Sequence, residues 1–523
     1  MKTIQLILLA AMLIIVAGCT SSQKNSISET VAVDGGLISG SYDEVTGITT
    51  FKGVPFAAPP VGDLRWKAPQ PVLPWQGVKQ CTTFSASPIQ NTPMPFSMWT
   101  QEFIAPKEPL SEDCLYLNVW TGAKSADEKR PVFVYIYGGG FNSGSGAVPI
   151  YDGEEMAKKG LVFLTINYRV GTLGFLAHPE LTAESPNHTS GNYGLMDQVA
   201  ALEWVQQNIQ NFGGDPENVT IAGQSAGSFS VNYLVGSPHT AGLIDHAIAE
   251  SGGAVLNTNQ LSRNTTLEQA EAAGARFAES LGASSIAELR DMPAEKILRA
   301  RGPGGPIVDG YMLPSSLGEI FAEGKQNDVP VILGWNEDEG FGGPPVPADQ
   351  FKKRVREMFG DKADDFLTRF PVNSDEDAFA IQNDLGALQT FGIQMYEWML
   401  LQNRTGKSKV YMYRFDRDVP FGDGMQDFGA FHTGEVPYAY NNLKMSPRPW
   451  TEADYKLADT MSDYWVNFAA KGDPNGEDLP EWEACTPENP KAMIFDTEVR
   501  CEELPSIKLL KFLKNFYAEN NIN

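Results

Sequence analysis

Val219-Thr220-Ile221-Ala222-Gly223-Gln224-Ser225-Ala226-Gly227 is the stretch on which the rest of the chain turns. Residues 219–223 form a short apolar run that reads as a buried strand, and a helical pattern begins at about Ala226. Gly223 to Gly227 fits G-x-S-x-G. Alone this is a weak pattern, but here it sits between a strand and a helix, where a nucleophile elbow must lie. The reason is steric. The turn forces its serine into a strained backbone, so the neighbours must lack bulk. Gly223 and Gly227 let strand and helix approach closely, and Ala226 leaves its N–H free. Ser225 is therefore the candidate nucleophile.

Working outward, apolar runs at 132–137, 161–168, 247–250, 329–334, 409–415 and 493–496 read as further strands. Leu195, Val199, Leu202, Val205 and Ile209 recur at helical spacing, and Phe212-Gly213-Gly214-Asp215-Pro216 stops that helix. Strand–helix alternation with near-continuous apolar strands predicts an α/β fold: a mostly parallel central sheet with helices on both faces. Residues 263–301 and 344–402 read as helical insertions, material for a cap over a site. Residues 508–517 read as a terminal amphipathic helix. No repeat or composition break marks a second domain.

The chain has 523 residues, 42% hydrophobic and 20% charged, with 50 Gly and 35 Pro. That is ordinary globular composition and excludes collagen, coiled coil and disorder. Forty basic residues face 65 acidic ones, a formal charge of −25. So acidic a surface repels phosphate backbones, and nucleic acid is not an expected partner.

A serine hydroxyl needs a base. The chain has five histidines: His178, His188, His239, His246 and His432. On this fold the order is serine, acid, histidine. His239 and His246 follow Ser225 too closely to leave room for an acid strand, so elimination leaves His432. The acid belongs on the loop after the 329–334 strand, Asn336-Glu337-Asp338-Glu339-Gly340; pattern alone leaves Glu337, Asp338 and Glu339 open. Gly138-Gly139-Gly140 follows the 132–137 strand and offers backbone N–H groups that approach a substrate closely. G-x-G-x-x-G fails there because position 143 is Ser, and no Walker motif occurs. HExxH is absent and no cluster has metal-ligand spacing. No cofactor or metal is expected.

At the N-terminus, Met1-Lys2 precedes an unbroken apolar run over 6–17, too short to span a bilayer. With Val16-Ala17-Gly18-Cys19 it has the shape of an export signal and resembles the bacterial lipobox. The expectation is a leader over 1–18, lipid on Cys19, and a polar tether over 19–29. Thr20 favours the outer membrane, and the location expected is the bacterial cell envelope. Export implies an oxidising compartment. Cys81, Cys114, Cys485 and Cys501 allow three pairings, of which the sequential one closes loops of modest length.

Longer stretches add a resemblance. Phe51-Lys52-Gly53-Val54-Pro55-Phe56-Ala57-Ala58-Pro59-Pro60 with Leu64-Arg65-Trp66, and Ser111-Glu112-Asp113-Cys114-Leu115-Tyr116-Leu117-Asn118, look like two signatures of the type-B carboxylesterases. Asn167-Tyr168-Arg169, Gly191-Asn192-Tyr193-Gly194-Leu195-Met196-Asp197-Gln198 and the 212–216 stop continue the likeness. That family includes cholinesterases and bacterial p-nitrobenzyl esterases. The resemblance implies a single α/β-hydrolase domain over 30–523 and a Ser225–Glu339–His432 triad. It also implies oxyanion donors at Gly139, Gly140 and Ala226, a Cys81–Cys114 disulfide and an Arg65–Glu112 salt bridge. Three positions depart from it: Tyr137 stands where many esterases have His, Gln224 where cholinesterases have Glu, and Glu250 where the family has Gln.

The expected activity is broad-specificity hydrolysis of small carboxylic esters through an acyl-enzyme, with an acid limb at a pKa of roughly 6 to 7. Trp99, Gln224 and Trp335 are the candidate substrate contacts, while Phe391, Met395 and Trp398, at helical spacing, read as core. Two rival readings are a cell-surface feruloyl or acetyl esterase acting on plant-derived esters and a non-catalytic binding protein on the same fold.

Overall fold

The computed structural model describes Ile27 and residues 30–258, 262–340, 344–422, 424 and 426–520. Cys19 and the 1–18 leader lie outside the described residues. The strands of the main sheet are β1 (Ser41–Tyr42), β2 (Thr49–Pro55), β3 (Tyr116–Thr121), β4 (Arg130–Ile136), β5 (Val162–Ile166), β6 (Gly214–Gln224), β7 (His246–Glu250), β8 (Val331–Asn336), β9 (Val410–Phe415), β10 (Lys491–Phe495) and β11 (Arg500–Glu503). Their order across the sheet is β1-β2-β3-β5-β4-β6-β7-β8-β9-β10-β11. Every pairing from β5 through β10 is parallel, and the pairings at the two ends are antiparallel.

The parallel strands are apolar along their length because helices cover both faces. Val132, Phe133, Val134 and Ile136 of β4, like Val331, Ile332 and Leu333 of β8, are fully buried. The covering helices include α1 (Tyr193–Asn208), α2 (Ala226–Gly236), α3 (Ile393–Thr405), α4 (Glu452–Lys471) and α5 (Ile507–Glu519). The sheet is thus the expected α/β hydrolase architecture. The antiparallel strand β2 does not read as a strand in the sequence, because Lys52, Gly53 and Pro55 interrupt its apolar pattern.

Ion pairs fasten the loops around this sheet. Arg65 grips Glu112 with two bonds of 2.6 Å, Nε to Oε1 and Nη2 to Oε2. Its Nη1 donates to the carbonyls of Leu289, Arg290 and Met292. It thereby holds the first helical insertion against the N-terminal loops, away from the site. Arg169 and Asp197 form a buried pair at 2.7 Å.

The cysteines correct an expectation. Cys81, Cys114, Cys485 and Cys501 are free thiols, so neither the Cys81–Cys114 nor the Cys485–Cys501 bridge is formed. Burial favours the neutral thiol at each: it pushes Cys81 up to about 11, Cys485 up to about 12, and Cys114 further still. They pack as small apolar groups.

The passage from β6 to α2 is closely packed. A Cβ on Gly227 would lie 2.0 Å from the carbonyl oxygen of Ile136 on β4, and one on Gly223 would lie 2.5 Å from the Gly227 backbone. Neither obstacle is a flexible side chain. Gly227→Ala should therefore lower stability by at least about 1–3 kcal/mol, read as a lower urea midpoint; an unchanged midpoint would contradict this account of the packing.

Candidate active site

Ser225 sits between the end of β6 and the start of α2 with φ +57° and ψ −126°. A non-glycine residue in that region is strained, and such strain is held only where the surroundings enforce it. Here its N–H donates to the Glu250 carbonyl on β7 at 2.9 Å, and its own carbonyl accepts from Phe229 N at 2.9 Å. Pinned at both ends, Ser225 faces a cavity of about 780 Å³.

The loop after β8 and the loop after β9 bring the other two residues together. His432 Nδ1 lies 2.8 Å from Glu339 Oε2. Asn336 N–H holds the other carboxylate oxygen of Glu339 at 2.8 Å. The Asn336 side-chain amide bonds the carbonyl of Phe431, next to His432, and the carboxylate of Glu435. One asparagine thus ties the two loops. The rival acids point elsewhere: Glu337 faces Arg414, and Asp338 accepts from Ala430 N–H and Asn383. His432 and Ser225 line the same cavity.

All the titratable members are buried. Burial pushes His432 from 6.5 down to about 4, against the opposing pull of nearby Glu435. Burial pushes the Glu339 carboxyl well above its usual range, opposed by the Asn336 N–H. Burial, reinforced by Glu339, pushes Glu435 up to about 7. The 2.8 Å contact between His432 and Glu339 resists the first two shifts, because it favours imidazolium beside carboxylate.

Gly138 packs against the elbow, its Cβ position 2.9 Å from Ser225 Cβ and 3.5 Å from Ala226 N. Gly139 and Gly140 follow with φ +112° and +61°. Among the described residues nothing accepts from their N–H groups, and Ala226 N–H, first in its helix, has no intrahelical acceptor. Three backbone donors therefore border one end of the cavity.

Trp99 and Gln224 line the cavity, as do Phe96, Phe103 and Phe229. Trp335 does not: it is 1% exposed and packs beneath Gly392, because its place on β8 turns the side chain to the core. Phe391 is buried in the core as expected, and it also borders the site. It lines the cavity and stacks on His432, ring centroids 4.7 Å apart and planes within 2°. A π-helical turn, Leu388–Gly392, interrupts the helix here, and Phe391 is buried with Met395 and Trp398 in one core cluster. Of the two insertions, only the one carrying Thr390 and Phe391 reaches the cavity. Glu435, Asn336 and Thr433 were missed because each acts through a partner remote in sequence. Among the described residues no group of His, Cys, Asp and Glu is arranged to hold a metal ion.

The sheet and its serine elbow define an α/β hydrolase. Comparison with known proteins gives the narrower class. The model of the carboxylesterase family matches residues 27–513. The fumonisin B1 esterase of Sphingopyxis macrogoltabida is 39% identical over 85% of this chain and 83% of its own. The para-nitrobenzyl esterase of Bacillus subtilis (strain 168) is 31% identical over 90% and 96%, and the cocaine esterase of Homo sapiens 34% over 83% and 81%. The chain belongs to the carboxylesterase family and is a carboxylic ester hydrolase.

Burial also moves the pH expectation. An imidazole acts as a base only when neutral, and lowering the pKa of His432 extends its neutral form to more acid solution. The acid limb of kcat/KM should therefore lie between 6.5 and about 4, below the range expected for an ordinary histidine. A half-maximal point at or above pH 6.5 in a rate profile would contradict it.

Proposed function

We propose that this protein is a serine carboxylesterase of broad specificity, with Ser225, His432 and Glu339 in the roles of nucleophile, base and orienting acid. Ser225 Oγ attacks the ester carbonyl while His432 takes its proton. The tetrahedral oxyanion is met by the N–H groups of Gly139, Gly140 and Ala226. On collapse the alcohol leaves with the proton returned by His432, and an acyl-Ser225 ester remains. Water, deprotonated by the same imidazole, then attacks the acyl carbon and releases the acid and the free serine. Glu339 keeps the ring in the tautomer with its proton on Nδ1 and stabilises the imidazolium.

The observation that carries this reading is the convergence on one cavity of a strained elbow serine, a histidine 2.8 Å from a buried glutamate, and three backbone donors. The cavity also bears on the substrate. None of its described lining residues is Asp, Glu, Lys or Arg, although the chain carries −25 overall. A wall of Phe96, Trp99, Phe103, Phe229 and Phe391 offers apolar contact and no counter-charge. Its volume of about 780 Å³ is that of a site for a drug-sized ligand. Neutral esters with an aromatic or extended apolar group suit it, feruloyl esters included. The leader and Cys19 further support attachment to the cell envelope by a lipid.

Two experiments test this. Over a panel of acetyl, butyryl, feruloyl and choline esters, the neutral members should be turned over with at least about tenfold higher kcat/KM than the cationic one, since a buried charge without a partner is costly. Ser225→Ala, still folded, should lose about 10⁴–10⁶-fold in kcat; retained turnover would sink the assignment. Separately, Cys19→Ser should move the protein from the membrane fraction to the soluble one, and membrane retention would count against the lipid anchor.

A further inference from the structure

Thr433 follows His432 directly, and its φ is +81°. A β-branched residue in that region costs free energy that glycine would not. Its side chain explains what is held there. Trp99 Nε1 donates to Thr433 Oγ1 at 3.2 Å. Thr433 Oγ1 in turn lies 3.2 Å from Gln224 Oε1. Gln224 Nε2 lies 3.3 Å from both His432 Nδ1 and His432 Nε2.

The direction of this chain is fixed by chemistry. An indole N–H only donates. Thr433 therefore accepts from Trp99 and must send its single hydrogen onward. The carboxamide oxygen of Gln224 accepts it, which leaves the NH₂ group toward the imidazole. The flipped amide would set two donors on one hydroxyl and leave the hydroxyl hydrogen without an acceptor. Gln224 Nε2 is equidistant from the two ring nitrogens, so it opposes its positive edge to the ring as a whole. That edge disfavours a second proton on the imidazole.

We propose that Trp99, Thr433 and Gln224 are positioning residues forming a donor relay, which locks the Gln224 amide with its NH₂ toward His432 and biases the base toward its neutral form. This rests on the triad reading above and deepens it. The groups around the ring decide how much the relay matters. Two described acids face His432: Glu339 from the loop after β8, and Glu435 from the turn that follows His432 itself. Both favour the imidazolium. Tyr413 on β9 lies behind these acids and is itself buried and neutral. Phe391, from the π-helical turn, and Trp99, from the loop before β3, contribute uncharged ring contacts. The amide of Gln224 is a polar group against the ring that opposes the two acids, alongside the hydroxyl of Ser225 on the same cavity. Trp99 also forms part of the cavity wall, so a substrate pressing on the indole bears on the base through two hydrogen bonds.

The test is the acid limb of the kcat/KM profile read together with rescue by Thr433→Ser, because loss of burial would also raise the limb but would not be reversed by restoring the hydroxyl. Trp99→Phe keeps a ring and removes the donor. Thr433→Gly removes the hydroxyl and relieves the backbone, so its folding is not in question. Both should raise the limb by several tenths of a pH unit, as the amide becomes free to turn its oxygen to the imidazolium. Gln224→Glu should raise it by at least about one unit, since a carboxylate at this distance favours the charged ring by roughly 1–3 units. Thr433→Ser retains the hydroxyl and should restore the wild-type limb. Unmoved limbs in Trp99→Phe and Thr433→Gly, or a downward move in Gln224→Glu, would overturn the relay while leaving the triad intact. Wild-type turnover that survives Ser225→Ala would instead sink the triad reading beneath it.

Discussion

The carbonyl of Ile136 and the missing side chain of Gly227 meet where two layers of the molecule touch. A Cβ at 227 would stand 2.0 Å from that oxygen, so helix α2 can lie across the end of β4 only as glycine allows. From this contact the site follows. The chain must turn sharply between β6 and α2, the serine at the turn takes φ +57°, and its hydroxyl faces the cavity rather than the core. The same crowding brings Gly138 against the elbow and sets the glycine run beside the helix N-terminus. The elbow serine and the backbone donors beside it are consequences of one steric constraint.

The second ingredient is electrostatic. His432, Glu339 and Glu435 are all buried, and burial makes each prefer neutrality. Two carboxyl groups and one imidazole therefore compete for few charges. Asn336 arbitrates: its backbone N–H supports a charged Glu339, while its side chain engages Glu435. Phe391 covers the imidazole and keeps it dry. In such surroundings a neutral imidazole persists well into acid solution, with a carboxylate 2.8 Å away to receive an imidazolium. Among the described residues that line the cavity none is Asp, Glu, Lys or Arg.

Much of this was legible in the amino-acid sequence, and the gaps have physical causes. The parallel strands were readable because burial on both faces makes them continuously apolar. The elbow was readable because only small residues fit beside its serine. His432 could be reached by elimination, but the choice among Glu337, Asp338 and Glu339 could not be made by pattern, since it depends on which side chain a turn aims at β9. Phe391 is core as its spacing predicts, but its contact with the imidazole was not legible, because His432 comes from a loop remote in sequence. Trp335 was misplaced because one step along a strand reverses the side of the sheet. The cysteine pairings, expected from loop length and from the family resemblance, are not formed: Cys81, Cys114 and Cys485 are buried free thiols and Cys501 a half-buried one.

The account stands on the hydroxyl of Ser225 being made nucleophilic by the imidazole of His432. Stoichiometric reaction with a fluorophosphonate, followed by peptide mapping of the adduct, tests this most directly. One adduct per chain on Ser225, with its rate of formation strongly reduced in His432→Ala, is the result the account requires. An adduct on another residue, or equal rates with and without the imidazole, would contradict it.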